Sequence, residues 1–148
     1  MEAHIRKATQ EDIPAIHSLV RELARYEKAE EEFIASLEDY ALDFRENVFQ
    51  SIVAEVEGKV VGMVLYYMTY STWKGKMLYL EDFVLSASFR RKGIGMKLFD
   101  AFLEEARTRG CRLVKWQVLD WNQPALDFYK RYHATIEKEW WTGKIFLS

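Results

Sequence analysis

The residues best suited to chemistry lie in a basic, glycine-containing loop at residues 90–96. The loop follows an apolar run at residues 79–85 and opens a helical pattern of apolar residues. A strand, a loop and a helix start in that order direct free backbone N–H groups and the positive end of the helix dipole at one point, which suits a phosphate or pyrophosphate. Gly93 and Gly95 allow a close approach of the backbone. Glycine and basic residues also occur at ordinary helix starts, so both interpretations are open here.

Better-known nucleotide and metal motifs do not fit the chain. A dinucleotide fingerprint requires a third glycine where the sequence has Leu98, and a P-loop requires Gly-Lys-Ser/Thr where Gly95 is followed by Met96. No serine lies in a nucleophile-elbow pattern. A metal site is not expected, because paired cysteines are absent and the histidines are far apart, at His4, His17 and His133. A pyrophosphate site of the form Arg-x-x-Gly-x-Gly, built from backbone groups, remains.

Acidic residues are concentrated between Glu27 and Glu46, where eight carboxylates accompany two basic residues. Apolar residues at helical spacing run through the same stretch and predict a second, short helix. The charges are typical of a solvated helix face. They also fit an acidic rim that attracts a cationic substrate. Both interpretations are open from these residues alone.

Glu81 and Asp82 form a second acidic feature, within a predicted strand. Neighbouring strand residues point to opposite faces of a sheet, so a regular strand cannot direct both carboxylates into one pocket. A β-bulge at this position would remove that restriction.

The elements that position these residues follow from periodicity and capping signals. Thr9 and Asp12 predict the start of a helix that runs to about Tyr26. Gly110 predicts the end of the helix after the basic loop, and Asn122 the start of a last helix. Strands are predicted at residues 4–8, 49–56, 60–70, 77–85 and 112–119, with a closing hairpin at 134–139 and 142–147.

Composition predicts one globular domain, residues 1–148, with 49% hydrophobic and 30% charged residues. The formal net charge of -2 argues against a nucleic-acid binder. A single cysteine, Cys111, excludes an internal disulfide and is typical of a reducing compartment. No apolar run is long enough to cross a membrane, and no segment has the pattern of a signal peptide. A cytoplasmic protein without membrane or nucleic-acid partners is therefore expected.

The chain resembles the GNAT superfamily of N-acetyltransferases, whose acetyl-CoA loop has the Arg-x-x-Gly-x-Gly pattern between a strand and a helix. The similarity continues on both sides of the loop. Segments 22–27, 79–83, 121–124 and 128–131 resemble diamine (spermidine/spermine) acetyltransferases. Segments 71–76 and 118–123 resemble thialysine acetyltransferases.

This resemblance implies an α/β fold of the α+β kind with a mixed sheet, in which antiparallel N-terminal strands precede a splayed fourth and fifth strand that hold CoA. Acetyl-CoA is the implied cofactor, with CoA as product. Backbone amides of the loop would hold the pyrophosphate, and residues 83–85 would run beside the pantetheine arm. The implied cofactor-binding residues are Phe83, Val84, Leu85, Arg90, Arg91, Lys92, Gly93, Ile94, Gly95, Met96, Asn122, Gln123, Pro124, Ala125 and Tyr129.

The implied reaction is direct transfer of an acetyl group, in a ternary complex, to a primary amine of a small cationic substrate, either a polyamine (diamine) or a thialysine-like amino acid. Holding both reactants together supplies much of the rate enhancement. Tyr129 is the implied general acid toward the leaving thiolate, and Glu81 the acid that takes the amine proton through water. The implied substrate contacts are Tyr26, Glu27, Glu81, Asp82, Trp116 and Gln117.

Two alternatives stay open: a non-catalytic acyl-CoA-binding module, and a protein or peptide N-acetyltransferase. The resemblance also implies a homodimer. The chain departs from the family at His133, where a glycine is frequent, and around Trp140 and Trp141, which leaves substrate choice and dimer contacts there undecided.

Overall fold

The structure, a computed structural model, describes residues 2–148. They form two compact units, one that ends at Gln117 and one that runs from Val118 to Ser148. The strands are β1 (His4–Lys7), β2 (Gln50–Val56), β3 (Lys59–Ser71), β4 (Gly75–Leu85) and β5 (Leu113–Trp116). The α-helices are α1 (Ile13–Tyr26), α2 (Leu37–Arg45), α3 (Ile94–Thr108) and α4 (Gln123–Lys130), and 3₁₀ turns lie at Gln10–Asp12, Glu30–Glu32 and Ala87–Phe89.

All of the strands in these residues belong to one sheet of order β1-β2-β3-β4-β5 in the first unit. Strands β1 to β4 pair antiparallel with their sequence neighbours, while β5 is parallel to β4. A parallel neighbour requires a crossover connection, and α3 supplies it. The mixed sheet predicted from the resemblance is confirmed.

The two faces of the sheet are covered by different helices. Residues Met63 and Leu65 of β3 pack with the buried face of α1. Tyr66, the next residue along β3, points to the other face, where its ring lies 5.6 Å from that of Phe102 in α3. Each fully buried side chain of this size contributes roughly 1.5–3 kcal/mol to folding. This alternation holds the long β3–β4 hairpin rigidly between α1 and α3.

The predicted start of the first helix is confirmed. Thr9 precedes the 3₁₀ turn that leads into α1, and its backbone N–H donates to Asp12 Oδ2 over 2.7 Å. Arg6 donates to both oxygens of the same carboxylate, at 2.8 and 3.0 Å, and holds the pKa of Asp12 below its usual value. The cap therefore also ties β1 to α1.

The strand predicted at residues 112–119 is shorter than expected, because β5 ends at Trp116. The β4–β5 ladder runs only from Met77–Leu113 to Leu80–Trp116. The register of β4 with β3 shifts directly after Leu80, and the ladder with β5 ends at the same residue. Among the described residues, the β4–β5 ladder consequently does not extend to residues 81–85.

The predicted closing hairpin is wrong. Residues 134–139 and 142–147 contain no strand among the described residues. A two-stranded hairpin is only marginally stable without a third strand or a packing surface. Here Trp141 and Leu147 are 95% and 96% exposed, so their apolar side chains bury almost no area that could stabilise the pairing. His133 takes a left-handed conformation with φ 58°, which a glycine would adopt at lower cost.

Candidate active site

A cavity of about 710 Å³ opens in the first unit between the C-terminal end of α1, α2 and strands β3 and β4. Its walls include the apolar and aromatic side chains of Val20, Phe33, Tyr40, Phe49 and Leu65. No basic residue is among the described residues that line it. The carboxylates that line it are Glu27, Glu32, Asp43, Glu81 and Asp82.

A β-bulge brings two adjacent carboxylates to this cavity. In the β3–β4 register Leu65 lies opposite Asp82, whereas Tyr66 lies opposite Leu80. Glu81 is therefore an extra residue in β4, and its presence interrupts the alternation of faces. Both Glu81 and Asp82 line the cavity as a result. The bulge considered in the sequence analysis is confirmed.

Tyr67 holds one of these carboxylates. Its hydroxyl donates to Glu81 Oε1 over 2.5 Å. The ring of Tyr67 is stacked on that of Tyr79, the residue opposite it in the register, with centroids 5.5 Å apart. Stacked aromatic pairs across two strands fix each other's orientation. The Glu81 carboxylate is thus positioned by a hydrogen bond from a rigid donor.

Asp82 is in a different environment from its neighbour. Burial, together with the negative charges of Glu81 and Glu27, raises the pKa of Asp82 to about 7. Burial also raises the pKa of Glu27, which follows the last residue of α1. Bringing like charges together in a partly desolvated cavity disfavours their ionised forms. A cation that enters the cavity offsets this repulsion, so the cavity attracts cations.

We expect Asp82→Asn to stabilise the fold at pH 8. The folded protein keeps a proton on Asp82 up to about pH 7, whereas the unfolded chain releases it near 3.8. The folded state therefore binds more protons between these values, and wild-type stability falls as the pH rises through this window. Urea unfolding at pH 4.5 and 8 measures the difference between the variant and the wild type, which should grow with pH.

Asp39→Asn is the matched control of opposite sign. Asp39 accepts a hydrogen bond from the backbone N–H of Ser36, which lowers its pKa. Neutralising it should destabilise the protein at pH 8. An Asp82→Asn variant that is less stable than wild type at pH 8 would contradict the electrostatic picture of the cavity.

The basic loop has the geometry of an anion-binding helix start. Gly93 is the N-terminal cap of α3 in a left-handed conformation, φ 80°, and Arg91 also has a positive φ of 64°. No side chain caps α3, so the N–H groups of its first turn are left to an outside acceptor. A Cβ built on Gly93 meets no atom within 4 Å. The uncapped N-terminus of this 15-residue helix, with open space at Gly93, suits an anion such as a pyrophosphate.

The basic side chains of the loop support its backbone. Arg90 Nε donates to the carbonyl oxygen of Leu85 over 3.3 Å, and the guanidinium lies 5.6 Å from the centre of the Tyr26 ring. Lys92 lies over the ring of Phe89. Arg90 therefore links the end of β4 to the end of α1, beside the part of β4 that lies beyond the β4–β5 ladder.

The predicted residues of the second unit lie on helix α4 and its cap. Asn122 Oδ1 accepts from the backbone N–H of Ala125 over 3.3 Å, and Pro124 lies in the first turn. Gln123 donates to Asp127 over 2.8 Å. Tyr129 is 6% exposed, and its ring packs edge-on against that of Phe128. The helix predicted from its cap is confirmed.

The structure gathers some of the predicted substrate contacts and separates others. Glu27, Glu81 and Asp82 line one cavity, but Tyr26 is not among the lining residues. Trp116 packs edge-on against Phe99 of α3. Gln117, which follows β5, is likewise not a lining residue. The acidic stretch is divided in the same way, because some of its carboxylates line the cavity and others remain on the surface.

Sequence reasoning missed several residues of the cavity. Glu32, Tyr40, Asp43 and Tyr67 line it, and none was predicted as a site residue. A signal for Tyr67 was present, since in a β3–β4 hairpin it falls opposite Tyr79, two residues before Glu81. The bulge that lets Tyr67 reach Glu81 has no comparable local signature. In residues 2–148 no group of three or more His, Cys, Asp or Glu side chains is arranged to hold a metal ion, and no helix is long and apolar enough to cross a membrane.

Comparison with known proteins adds to this geometry. The chain is 41% identical to a thialysine N-epsilon-acetyltransferase of Bos taurus over 149 residues, which cover 93% of this chain and 88% of that protein. It is 35% identical to the spermidine/spermine N(1)-acetyltransferase-like protein 1 of Homo sapiens, covering 84% of this chain and 19% of that protein.

A solved structure of an aminoglycoside N-acetyltransferase in complex with CoA has the same fold. Its TM-score is 0.79 at 16% identity, over 97% of this chain and 95% of that one. The profile of the Acetyltransferase (GNAT) family matches residues 13–134, which include the acidic cavity, the basic loop and α4. Together with the identity to curated relatives over nearly the whole chain, this match shows that the protein belongs to the GNAT family of acetyltransferases.

Proposed function

We propose that the protein is an acetyl-CoA-dependent N-acetyltransferase that acetylates a primary amine of a small cationic substrate, a polyamine (diamine) or a thialysine-like amino acid. The cavity is the observation that carries the choice of substrate. Five carboxylates and no basic residue, among the described lining residues, surround a volume of about 710 Å³. A cationic amine is attracted into such a cavity, whereas an anionic acceptor is repelled.

Acetyl-CoA is the proposed acyl donor, and the residues present fit it. The uncapped start of α3 and the positive-φ residues Arg91 and Gly93 would hold the pyrophosphate through backbone N–H groups. Residues 83–85, which lie beyond the end of the β4–β5 ladder, are proposed to run beside the pantetheine arm. Residues 122–125 are proposed to line the cofactor as well, as the sequence resemblance implies. When bound, acetyl-CoA supplies an acetyl group activated as a thioester.

The remaining chemistry falls to side chains of the protein. The cavity carboxylates bind and orient the amine, and a carboxylate at the bulge removes its proton. The sequence resemblance implies Glu81 for that step. Tyr129 is proposed to donate a proton to the leaving sulfur as a general acid. No covalent intermediate with the protein is required, since both reactants are held together.

The decisive test is thiol release from acetyl-CoA with a panel of diamines, polyamines, thialysine-like amino acids and peptides. We expect small cationic amines to stimulate release. Binding of acetyl-CoA without stimulation by any amine would favour the non-catalytic acyl-CoA-binding module. A peptide that outcompetes the free amines would favour a protein or peptide N-acetyltransferase.

Neutralising the cavity should weaken the amine more than the acyl donor. We expect Glu27→Gln and Glu81→Gln to raise KM for a cationic amine about tenfold each, the equivalent of about 1.4 kcal/mol. KM for acetyl-CoA should change little. Glu38→Gln is the matched control, since Glu38 lies in the same acidic stretch but is exposed and not a lining residue. Equal effects on both substrates would mean that the two carboxylates act through the fold.

The homodimer implied by the resemblance is a further part of the proposal. Large aromatic side chains support it, because Trp73 is 84% exposed at the tip of the β3–β4 hairpin and Trp140 is 70% exposed. Exposed apolar surface of this kind is frequent at interfaces between proteins. Sedimentation equilibrium would measure the mass. A cytoplasmic location is proposed with it.

A further inference from the structure

The proposed function assigns removal of the amine proton to the bulge in β4, where two carboxylates are adjacent. We infer that Asp82 is the proton acceptor for the amine, and that Glu81, held by Tyr67, serves as a contact for the cationic substrate. This inference rests on the proposed function and names the catalytic residue within it.

The Glu81 carboxylate is engaged and faces solvent. One of its oxygens accepts the Tyr67 hydroxyl proton in a 2.5 Å hydrogen bond, and the residue is exposed. The stacked Tyr79 ring limits the movement of Tyr67. A carboxylate that is fixed in this way can hold a cationic group at a set place. It is less available to accept a proton, because one of its oxygens already accepts the Tyr67 hydroxyl.

The Asp82 carboxylate is open to the cavity and more buried. It lies opposite Leu65 in the register, next to the apolar wall that α1 and β3 form. No described residue donates a hydrogen bond to it. Both of its oxygens are accessible to solvent. Among the described residues every fully buried side-chain oxygen has a hydrogen-bond partner, so an Asp82 oxygen without a partner is not fully buried. A half-buried acceptor that is open to the cavity can take a ligand as its partner.

The groups that face Asp82 are acidic or phenolic on every side. Glu27 approaches from the end of α1, and Glu81 from β4 itself. Tyr40 of α2, with Tyr67 and Tyr79 of the hairpin, is close enough that their own pKa values are raised in part by the negative charge of Asp82. No basic group contributes to this environment. With its pKa near 7, Asp82 is a base about a thousandfold stronger than a carboxylate of ordinary pKa.

The step balances without another reactant. A substrate ammonium enters the cavity, its N–H bond breaks, and the proton forms an O–H bond with Asp82. The electron pair of that bond stays on nitrogen, which would attack the thioester carbon. The second N–H proton would leave nitrogen for solvent as the C–S bond breaks, and solvent would replace the proton that Tyr129 gives to the sulfur. Asp82 returns the proton to solvent after the neutral amide has left, since the amide carries no charge that would retain it. Free Asp82 already holds a proton below about pH 7, so productive binding requires that proton to leave first.

The test is the pH dependence of kcat/KM for wild type, Asp82→Asn and Glu81→Gln with one diamine substrate. This profile reports groups of the free enzyme, and the titration of the substrate itself is common to all three proteins. Wild type should show an acidic limb near pH 7. Glu81→Gln should keep the limb at lower pH, because one negative neighbour is gone. Asp82→Asn should lose the limb and lower kcat by about 10²- to 10⁴-fold.

A second measurement separates proton transfer from charge binding. A bis-quaternary ammonium competitor carries charge but no proton, so its inhibition constant reports binding alone. We expect Asp82→Asn to change that constant no more than Glu81→Gln does, while its kcat falls far more. In the free protein, carboxyl-carbon NMR should show a group that titrates near pH 7 in wild type and is missing in Asp82→Asn.

Other outcomes overturn the inference. An Asp82→Asn enzyme that keeps the limb, or loses only affinity for the quaternary competitor, would make Asp82 a charge contact. Loss of the limb in Glu81→Gln alone would assign the proton to Glu81. If the wild-type protein acetylates no amine, the proposed function itself is refuted. If it is active but its pH profile is the same with and without the Asp82 carboxylate, only the role of Asp82 is refuted.

Discussion

Tyr129→Phe is expected to lower kcat by about 10²- to 10⁴-fold while KM for acetyl-CoA changes little. The phenol is the proposed source of the proton that the leaving sulfur needs, and phenylalanine keeps the ring but cannot donate. Tyr129 is 6% exposed, so phenylalanine keeps a ring of the same size in a buried place. Steady-state kinetics of thiol release measures the effect.

Tyr66→Phe provides the matched control for that variant. Tyr66 is 1% exposed and its ring packs on Phe102, so this change likewise removes the hydroxyl of a buried tyrosine. It should alter stability by a similar amount and leave kcat within a factor of a few. If both variants lower kcat equally, Tyr129 acts through packing. If neither does, another group protonates the sulfur.

Gly93→Val is expected to raise KM for acetyl-CoA at least tenfold. Gly93 has φ 80°, where an L-residue pays about 1–2 kcal/mol, and its Cβ would project into open space at the uncapped start of α3. That space is where the pyrophosphate is proposed to bind. KM for the amine should be nearly unchanged, because the acidic cavity is lined by other residues.

Gly58 offers a control with the same backbone geometry. It has φ 79°, a Cβ there also meets no atom within 4 Å, and it lies in the β2–β3 turn. Gly58→Val should therefore lower the free energy of unfolding by about as much as Gly93→Val, with KM for acetyl-CoA unchanged. If the two variants have the same kinetics, the loop does not hold the acyl donor.

The charge of the cavity supports the proposal that one site both attracts and deprotonates an amine. Carboxylates that repel one another attract a cation, and burial together with this repulsion raises the pKa of Asp82. Glu81 and Asp82 differ because Tyr67 donates to Glu81, whereas Asp82 is more buried. In this proposal the hydrogen bond and the difference in burial separate the two roles.

Local signals in the sequence were sufficient for most elements and for the loop. Thr9 and Asn122 predicted helix starts because capping depends on residues within one turn. The pattern at residues 90–96 predicted an anion site because the strand, the loop and the helix start are consecutive in the chain. The same signals failed at residues 134–147. Alternation of residues there predicted strands, but it could not show that no other part of the protein packs on them.

The tertiary structure decided the rest of the site. The sequence alone predicted the succession of strands along the chain. It also singled out the two adjacent acids of β4 and the glycines of the loop as candidate site residues. Only the register between β3 and β4 placed an extra residue at Glu81, turned both acids to one face and brought Tyr67 to the first of them. Burial beside Leu65 and Glu27 then set the pKa of Asp82, because desolvation and repulsion depend on distances in space that residue spacing along the chain does not contain.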